Sequence, residues 1–284
     1  MAHLRGARVA LLESRMTSTL SSLVQLYGGQ PYAVPALRES PVASKQLDRL
    51  INGIARGRFS VVIFQTGVAA QQLFDEVAKR GQLDEIQDRL RRCTTVCRGP
   101  KPAAVLSRHG IRPTANVSEP YTTYELTAAL SLIELERKYV ALLHYGERNA
   151  PLGIALRTRG ARLAEFLLYE WRLPDDLGPL QNLVLEIVAG SVDAIAFTNQ
   201  IQIRHLLAVA GDMHLADELA RALTQRVVVA SIGPSCTLQL RKLGIQPRVM
   251  PSIPKMRPLI SSLSDYYRFA PLPQALPIHH HSAV

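Results

Sequence analysis

The chain has 284 residues, of which 47% are hydrophobic and 20% charged, a composition typical of a globular protein with a sizeable core. Its formal net charge of +10 favours a polyanionic partner, namely a nucleic acid, an anionic lipid surface or a small ligand with many carboxylates, although a solvated basic surface would give the same charge. The basic N-terminus has only a short apolar run before Glu13, so we expect neither a secretory signal nor a membrane span there.

Strands and helices alternate through the first part of the chain. The run VVIF at 61–64 is wholly apolar, as a parallel strand buried on both faces requires. Apolar periodicity and Gly or Pro stops predict, in order, a strand at 8–12, a helix ending at Gly28-Gly29, an extended segment at 31–38, a helix at 45–55, a strand at 61–64, a helix at 69–80 and a strand at 94–97.

The same alternation continues to the C-terminus. It predicts a helix at 121–139, a strand at 140–144, helices at 151–159 and 180–189, and strands at 193–197 and 227–232. The Pro-rich tail from Pro271 onward is expected to be disordered. Its three consecutive histidines at 279–281 have no further ligands in the segment, so we expect no metal site there.

One stretch, RLAEFLLYEWRLP at 162–174, alternates and is rich in aromatic residues. The pattern predicts a single strand, closed by Pro174, between two halves of the chain that resemble each other. Its one phenol, Tyr169, is a candidate acid. The alternative is that Tyr169 packs in a sheet beside Trp171.

The chain contains an internal repeat. The segment SVVIFQTGVAAQQLFDEVA (60–78) resembles DAIAFTNQIQIRHLLAVA (193–210), and RGPKPAAVLSRHGIRP (98–113) resembles IGPSCTLQLRKLGIQP (232–247). More weakly, ALLHYGERNAPLGIALRTRG (141–160) resembles ALLESRMTSTLSSLVQLYGG (10–29). Repeated strand–loop–helix units indicate parallel sheets that are covered by helices.

This pattern predicts an α/β protein with two parallel-sheet, three-layer domains joined by a two-stranded connector. The boundaries that follow are a discontinuous first domain at 1–33 plus 175–268, an inserted second domain at 43–160, connector strands at 34–42 and 161–174, and a disordered tail at 269–284.

Ligands of parallel sheets bind beyond the carboxyl ends of the strands, where loops lead into helix N-termini. Backbone N–H groups at such helix starts suit carboxylates. The candidate binding residues in these loops are Arg15, Gln65, Thr66, Gly67, Gly99, Lys101, Thr198, Asn199, Gln200, Gly233 and Ser235. For Thr66, Thr198 and Ser235 the alternative is that each hydroxyl caps its helix.

Other motifs of known chemistry are missing. The sequence has no GxGxxG, no phosphate-binding lysine loop and no nucleophile elbow, so nothing supports a nucleotide cofactor. The cysteines Cys93, Cys97 and Cys236 are too few for a disulfide framework and lack zinc-ribbon spacing. We interpret them as reduced thiols of a cytoplasmic protein. The basic run at 89–92 is interpreted as a solvated face, because no nucleic-acid-binding motif accompanies it.

The paired strand–loop–helix and Gly-Pro–helix units, together with FLLYEWRLP, resemble the uroporphyrinogen-III synthase family over roughly residues 7 to 268. The resemblance implies two α/β domains and a cofactor-free hydro-lyase of porphyrin and heme biosynthesis. Such an enzyme closes hydroxymethylbilane, a linear tetrapyrrole with eight carboxylates, to uroporphyrinogen III. Closure removes water and inverts ring D.

The resemblance also implies residue roles. Tyr169 matches a connector-strand tyrosine that assists departure of the hydroxyl. Gln65 and Thr66 match a hydroxyl-rich loop of the family, Thr198 and Asn199 match its second copy, and Ser235 matches the hydroxyl after the second Gly-Pro. This sequence departs from the family at Gln65 and at Lys101-Pro102, where hydroxyls are commoner.

Two alternatives stay open. The chain could be a non-catalytic tetrapyrrole-binding regulatory or interaction module, but no winged-helix pattern follows residue 268. It could also be a bilobal ligand binder like the solute-binding proteins, which the absent signal peptide disfavours. We expect a monomer that binds a polycarboxylate tetrapyrrole and neither nucleic acid nor membrane, with no cofactor and no metal.

Overall fold

The computed structural model describes residues 3–41 and 44–269. The chain divides into two compact units, one within Met1–Arg38 and Arg172–Val284, the other comprising Glu39–Trp171. Across the described residues, every helix is too short or too polar to cross a membrane.

The first unit is built on a parallel sheet of four strands in the order β11-β10-β1-β2. The strands are β1 (Arg8–Leu11), β2 (Gln30–Ala33), β10 (Ala194–Phe197) and β11 (Val228–Ser231). The helices are α1 (Thr17–Leu26), α8 (Gly178–Ala189), α9 (Gln200–Asp212), α10 (Ala216–Gln225), α11 (Pro234–Lys242) and α12 (Met256–Phe269).

The second unit has a parallel sheet of five strands in the order β6-β5-β4-β7-β8. Its strands are β4 (Val61–Phe64), β5 (Thr94–Cys97), β6 (Ala115–Asn116), β7 (Tyr139–Leu143) and β8 (Arg162–Phe166). Its helices are α2 (Ser44–Ala55), α3 (Gly67–Lys79), α4 (Leu83–Arg91), α5 (Pro100–Arg108), α6 (Thr123–Ser131) and α7 (Ala150–Thr158).

Each sheet is covered on both faces because its central strands are apolar at every position. Successive side chains of a strand point to opposite faces. Val62 and Phe64 therefore join a core with α2, α3, α4 and α5, whereas Val61 and Ile63 join another with α6 and α7. In the first unit Ala10 and Leu11 likewise belong to different cores. The predicted fold class, α/β with parallel three-layer units in an internal repeat, is confirmed.

The predicted single strand at 162–174 is wrong. Residues 162–166 form β8 in the five-stranded sheet, and only β9 (Tyr169–Arg172) pairs with β3 (Arg38–Pro41) in a separate two-stranded sheet. The break falls at Leu167, whose N–H donates to Oε1 of Gln46 at 2.9 Å rather than to a neighbouring strand. Alternation alone does not reveal this change of partner, because both strands keep a period of two.

Three helices went unpredicted, α4, α10 and α12, and the helix expected at 121–139 is confined to α6. For α4 and α10 the sequence does contain a signal of a helix start, namely acidic residues in the first turn. Asp84 and Glu85 open α4, and Asp217 and Glu218 open α10, where carboxylates stabilise the positive end of a helix.

The predicted domain boundaries, 1–33 plus 175–268 and 43–160, stay a prediction. Of the predicted disordered tail at 269–284, Phe269 instead ends α12, and the rest lies outside the described residues.

The turn after β7 depends on Gly146. Its φ of +63° lies in the left-handed region, and a Cβ there would overlap the indole ring of Trp171. The backbone N–H of Trp171 also donates to the Gly146 carbonyl at 3.1 Å. Gly81 in the same unit has a φ of +68° but nothing within 4 Å of the same position.

We expect Gly146→Ala to lower the free energy of unfolding by roughly 2–4 kcal/mol, since overpacking against the indole adds to backbone strain. Gly81→Ala is the matched control and should cost about 1 kcal/mol, because it introduces the strain alone. Urea unfolding of both variants measures the difference. Equal costs would show that Trp171 moves aside freely.

Candidate functional site

The carboxyl ends of β4, β5 and β7 meet at one edge of the second unit's sheet. The register pairs Phe64 with both Cys97 and Leu143. The next residue of each strand is therefore brought to the same edge, namely Gln65, Arg98 and His144. Helices α3, α5 and α7 begin in the loops that follow.

A buried polar network joins two of these residues to the loop before α7. Gln65 and His144 are 1% and 0% exposed. His144 Nδ1 lies 3.1 Å from the backbone N of Asn149 and 3.2 Å from Gln65 Nε2. The Asn149 amide donates in turn to Gln65 Oε1 at 3.1 Å and to Thr123 Oγ1 at 2.9 Å.

These contacts determine the tautomer of His144. The backbone N–H of Asn149 can only donate, so Nδ1 must accept and the ring proton sits on Nε2. Nε2 lies 2.8 Å from Glu165 Oε2, to which it donates. Burial lowers the pKa of His144, and the attraction of Glu165 does not restore it. The imidazole is therefore neutral at pH 7.

Glu165 is the carboxylate at the end of this network. Burial raises its pKa, but hydrogen bonds from Arg157 and His144 outweigh burial and lower it overall. Arg157 forms a close ion pair with Glu165 Oε1, and Arg148 Nη1 lies 3.7 Å from Oε2. Both Glu165 oxygens are thus occupied by partners within the second unit.

Arg98 packs its guanidinium on the ring of Tyr145, with 4.3 Å between the guanidinium carbon and the ring centroid. Its Nη1 donates to Gln65 Oε1 at 3.4 Å. Burial lowers the pKa of Arg98, and interactions with Tyr145 and Tyr169 offset that in part.

Tyr169, the predicted acid, is 1% exposed and belongs to the core of the second unit. Its hydroxyl donates to Thr66 Oγ1 at 3.3 Å, and its ring meets that of Trp171 edge-on, with centroids 5.5 Å apart. The packing expected under the alternative interpretation is therefore observed. The hydroxyl nonetheless lies at the start of α3, beside the loop after β4.

The helix starts of the second unit differ in how they are capped. Thr66 caps α3, accepting from the Ala69 N–H at 3.2 Å. Gly67 is packed against Lys101, whose own side chain is exposed. Gly99 precedes α5 with a φ of +95° and has no capping side chain, and the ring of Tyr121 lies where its Cβ would be.

The first unit carries an equivalent cluster with different chemistry. Thr198 Oγ1 donates to Glu13 Oε2 at 2.6 Å, so these side chains join the ends of β10 and β1. Asn199, not Thr198, caps α9, and Gln202 Oε1 accepts the N–H groups of Thr198 and Asn199. The capping alternative is thus wrong for Thr198 and right for Thr66.

The remaining candidates of the first unit lie in the loop after β1, at the start of α9 and at the start of α11. Arg15 is exposed, and its N–H donates to Glu13 Oε1 at 3.3 Å; Gln200 is the first residue of α9. Gly233 precedes α11, which has Pro234 in its first turn and no capping side chain, so Ser235 does not cap this helix. The Ser235 side chain is exposed.

Sequence reasoning missed Arg98, His144, Asn149 and Glu165. Arg98 and His144 directly follow buried strands, and Asn149 is the side-chain cap of α7. Position alone could have identified these three residues, because the hydroxyl-rich loops were chosen for the same reason, namely that they follow buried strands and precede helices. Among residues 3–41 and 44–269, no cluster of three or more His, Cys, Asp or Glu is suited to hold a metal ion. The expectation of a metal-free site stays a prediction.

The comparisons with known proteins cover most of the chain. Residues 18–261 match the family described as uroporphyrinogen-III synthase HemD. The chain belongs to the uroporphyrinogen-III synthase family. A relative, the Bacillus subtilis (strain 168) protein "Uncharacterized protein YjjA", is 31% identical over 264 residues, which are 93% of this chain and 97% of the relative.

Solved structures of the same family are also similar. A mutant uroporphyrinogen III synthase from the extremely thermophilic bacterium Thermus thermophilus is 25% identical with a TM-score of 0.75, covering 91% of this chain and 98% of that one. A wild-type crystal form of the synthase from that bacterium is 26% identical with a TM-score of 0.58, covering 91% and 97%. The fold of this chain is therefore that of the uroporphyrinogen-III synthase family.

The neutral His144 makes the stability of this family member depend on pH. Its pKa is lowered in the folded state, so unfolded chains bind the proton first as the pH falls below about 6.5. The pKa of Glu165 is also lowered in the folded state, so its protonation also reduces stability, at a lower pH than that of His144. The fold is therefore most favoured above the ordinary histidine pKa and loses stability on acidification.

We expect the free energy of unfolding to decrease between pH 7.5 and 5, with His144 contributing up to about 1.4 kcal/mol per pH unit below its ordinary pKa. His144→Gln removes this titration and should give a shallower slope, whatever its stability at pH 7.5. Urea unfolding across the pH range measures both slopes. Parallel slopes would show that His144 is protonated equally in folded and unfolded chains.

Proposed function

We propose that this chain is a uroporphyrinogen-III synthase, which closes hydroxymethylbilane to uroporphyrinogen III with loss of water and inversion of ring D. The observation that carries the proposal, beside family membership, is the Tyr169 hydroxyl. It is held 3.3 Å from Thr66 Oγ1 at the carboxyl edge of the second unit's sheet. Ligands of parallel sheets bind at this edge.

Tyr169 is proposed to assist departure of the substrate hydroxyl. A hydroxyl leaves readily only if a proton reaches it as the carbon–oxygen bond breaks. Phenols have a pKa of about 10 and stay protonated at neutral pH, so they can donate. The Thr66 hydroxyl, which accepts from Tyr169, also accepts from the Ala69 N–H and so has a defined position.

The helix starts of both units suit the substrate's carboxylates. Neither Gly99 before α5 nor Gly233 before α11 provides a capping side chain, so amide donors at these starts are available to an anion. We propose that these two Gly-Pro turns, with Lys101 and Ser235, bind carboxylates. We propose that further candidates contact the substrate from the loops to which they belong. These are Gly67 in the second unit and Arg15, Thr198, Asn199 and Gln200 in the first. The net charge of +10 supports a polycarboxylate ligand.

The burial of Tyr169 favours a second candidate, a tetrapyrrole-binding module without catalysis, in which the tyrosine only packs beside Trp171. The two candidates differ in the product formed, because uncatalysed closure of hydroxymethylbilane gives the type I isomer. We expect the isolated protein, without added metal, nucleotide or flavin, to give the type III isomer. Chromatography of the oxidised porphyrins measures the ratio. Type I alone at high protein concentration would refute the synthase and favour the binding module.

We expect Tyr169→Phe to lower the turnover rate by roughly 10- to 1,000-fold, at or below the usual general-acid contribution, since this substrate also loses its hydroxyl spontaneously. The ring packing survives and one hydrogen bond is lost, so the free energy of unfolding should fall by about 1 kcal/mol. Initial rates of type III formation and urea unfolding measure the two effects.

Tyr139→Phe is the matched control. Tyr139 begins β7 at the opposite edge of the same sheet, where its hydroxyl accepts from Arg162 Nη1 at 3.1 Å. Its loss should leave turnover unchanged. If Tyr169→Phe and Tyr139→Phe have the same turnover as the native protein, Tyr169 is a packing residue and not the acid.

A further inference from the structure

Arg98 is a partly buried cation whose acidic partner is missing from the described part of the chain. Its side chain contacts neutral groups, the Tyr145 ring at 4.3 Å and Gln65 Oε1 at 3.4 Å. No carboxylate of residues 3–41 and 44–269 forms an ion pair with it, and none contributes to the shift of its pKa. Burial of a charge without a counter-charge is costly.

Two carboxylates on the loops and strands of the same unit are bound to other groups. Glu165 accepts from His144 and Arg157, and Arg148 lies within ion-pair distance of it. Glu147 Oε1 accepts from the Tyr145 hydroxyl at 3.2 Å. The guanidinium carries five N–H donors in a flat fork, of which the hydrogen bonds to Gln65 and to the Tyr145 side chain use two. The fork therefore retains the donors that bidentate binding of a carboxylate requires.

The fold itself does not require a cation at this position. The repeat places Ile232 of the first unit where the second unit has Arg98. Both residues directly follow the equivalent strand, and their N–H groups make the same bond, to the carbonyls of Phe64 and Phe197, each at 2.9 Å. One copy of the turn forms with an aliphatic side chain and the other with a guanidinium. The charge of Arg98 therefore serves something other than the turn.

We propose that Arg98 binds a carboxylate side chain of the substrate beside Tyr169, as a residue that determines specificity for a polycarboxylate. This inference rests on the proposed function. The contact with Tyr145 orients the fork, and the Gln65 side chain is fixed by His144 and Asn149. The substrate carboxylate would supply the counter-charge that the described residues do not provide, and binding at this point would bring one pyrrole ring toward the Tyr169 hydroxyl.

The test compares Arg98→Gln with Arg92→Gln. Arg92 is an exposed residue at the end of α4 in the same unit, so its variant removes the same charge without removing the proposed contact. The probe is uroporphyrin III, an octacarboxylate, and its dissociation constant is measured by fluorescence titration beside the KM for hydroxymethylbilane. We expect Arg98→Gln to raise both the dissociation constant and the KM by roughly 10- to 100-fold, from the usual strength of charged hydrogen bonds. Arg92→Gln should raise each of them by less than about threefold.

Arg98→Lys separates charge from geometry. It keeps the charge but not the fork, so it should recover only part of the lost affinity. If Arg98→Gln does not fold, as judged by its melting curve, Arg98→Lys carries the test, with an expected loss of about 3- to 10-fold.

The failure of this inference differs from the failure of the proposed function. Suppose that the native protein forms the type III isomer but that Arg98→Gln and Arg92→Gln bind uroporphyrin III equally well. That result would overturn the role of Arg98 and leave the proposed synthase activity intact. A native protein that forms only the type I isomer, yet binds uroporphyrin III through Arg98, would refute the synthase and support the inference. A native protein that does not bind uroporphyrin III would overturn the inference as well.

Discussion

The geometry of the candidate site in the second unit depends on one neutral imidazole. His144 accepts on Nδ1 and donates on Nε2, and its partners come from the loop after β4, the loop before α7 and strand β8. A charged imidazole has no acceptor to offer Asn149, so the network forms only while the ring is neutral. Desolvation provides that condition, because it lowers the pKa of a buried histidine. The position of Gln65, and through it that of Arg98, follows from this protonation state.

In the first unit, other residues form the polar contacts at the carboxyl ends of the strands. There the ends of β1 and β10 are joined by Glu13 and Thr198, and Gln202 satisfies the two backbone N–H groups of the turn. The repeated backbone therefore tolerates different side chains at equivalent positions, provided that buried polar atoms find partners. What distinguishes the second unit is a guanidinium that no carboxylate of residues 3–41 and 44–269 pairs with, together with a phenol held against Thr66. The two copies share a fold but differ in the chemistry at its carboxyl edge.

The sequence predicted the sheets and most of their helices because the short apolar runs VVIF and AIAF, each followed by a polar turn, are typical of strands buried on both faces. It also placed the candidate loops at the carboxyl ends of the parallel strands, where they lie, and their binding role stays a prediction. It did not predict the network of Gln65, His144 and Asn149, whose partners lie up to 84 positions apart. Nor did it predict the break at Leu167, where the backbone N–H donates to the Gln46 side chain and not to a neighbouring strand. Such contacts are decided by tertiary packing, which local periodicity does not encode.

The burial of Tyr169 is compatible with its proposed role as a general acid, because the ring and the oxygen have different surroundings. Its ring contributes to packing with Trp171 and the second unit's core, which fixes its direction without restricting the chemistry of the oxygen. The oxygen itself sits at the sheet edge, where it donates to a hydroxyl that is itself fixed as a helix cap. A neutral Tyr–Thr pair needs no ionisation to fold, in contrast to a buried carboxylic acid, whose charged form burial disfavours. A phenol therefore suits the proposed acid, which must stay protonated at neutral pH, while the proposed carboxylate contacts come from Arg98 and from the helix starts without capping side chains.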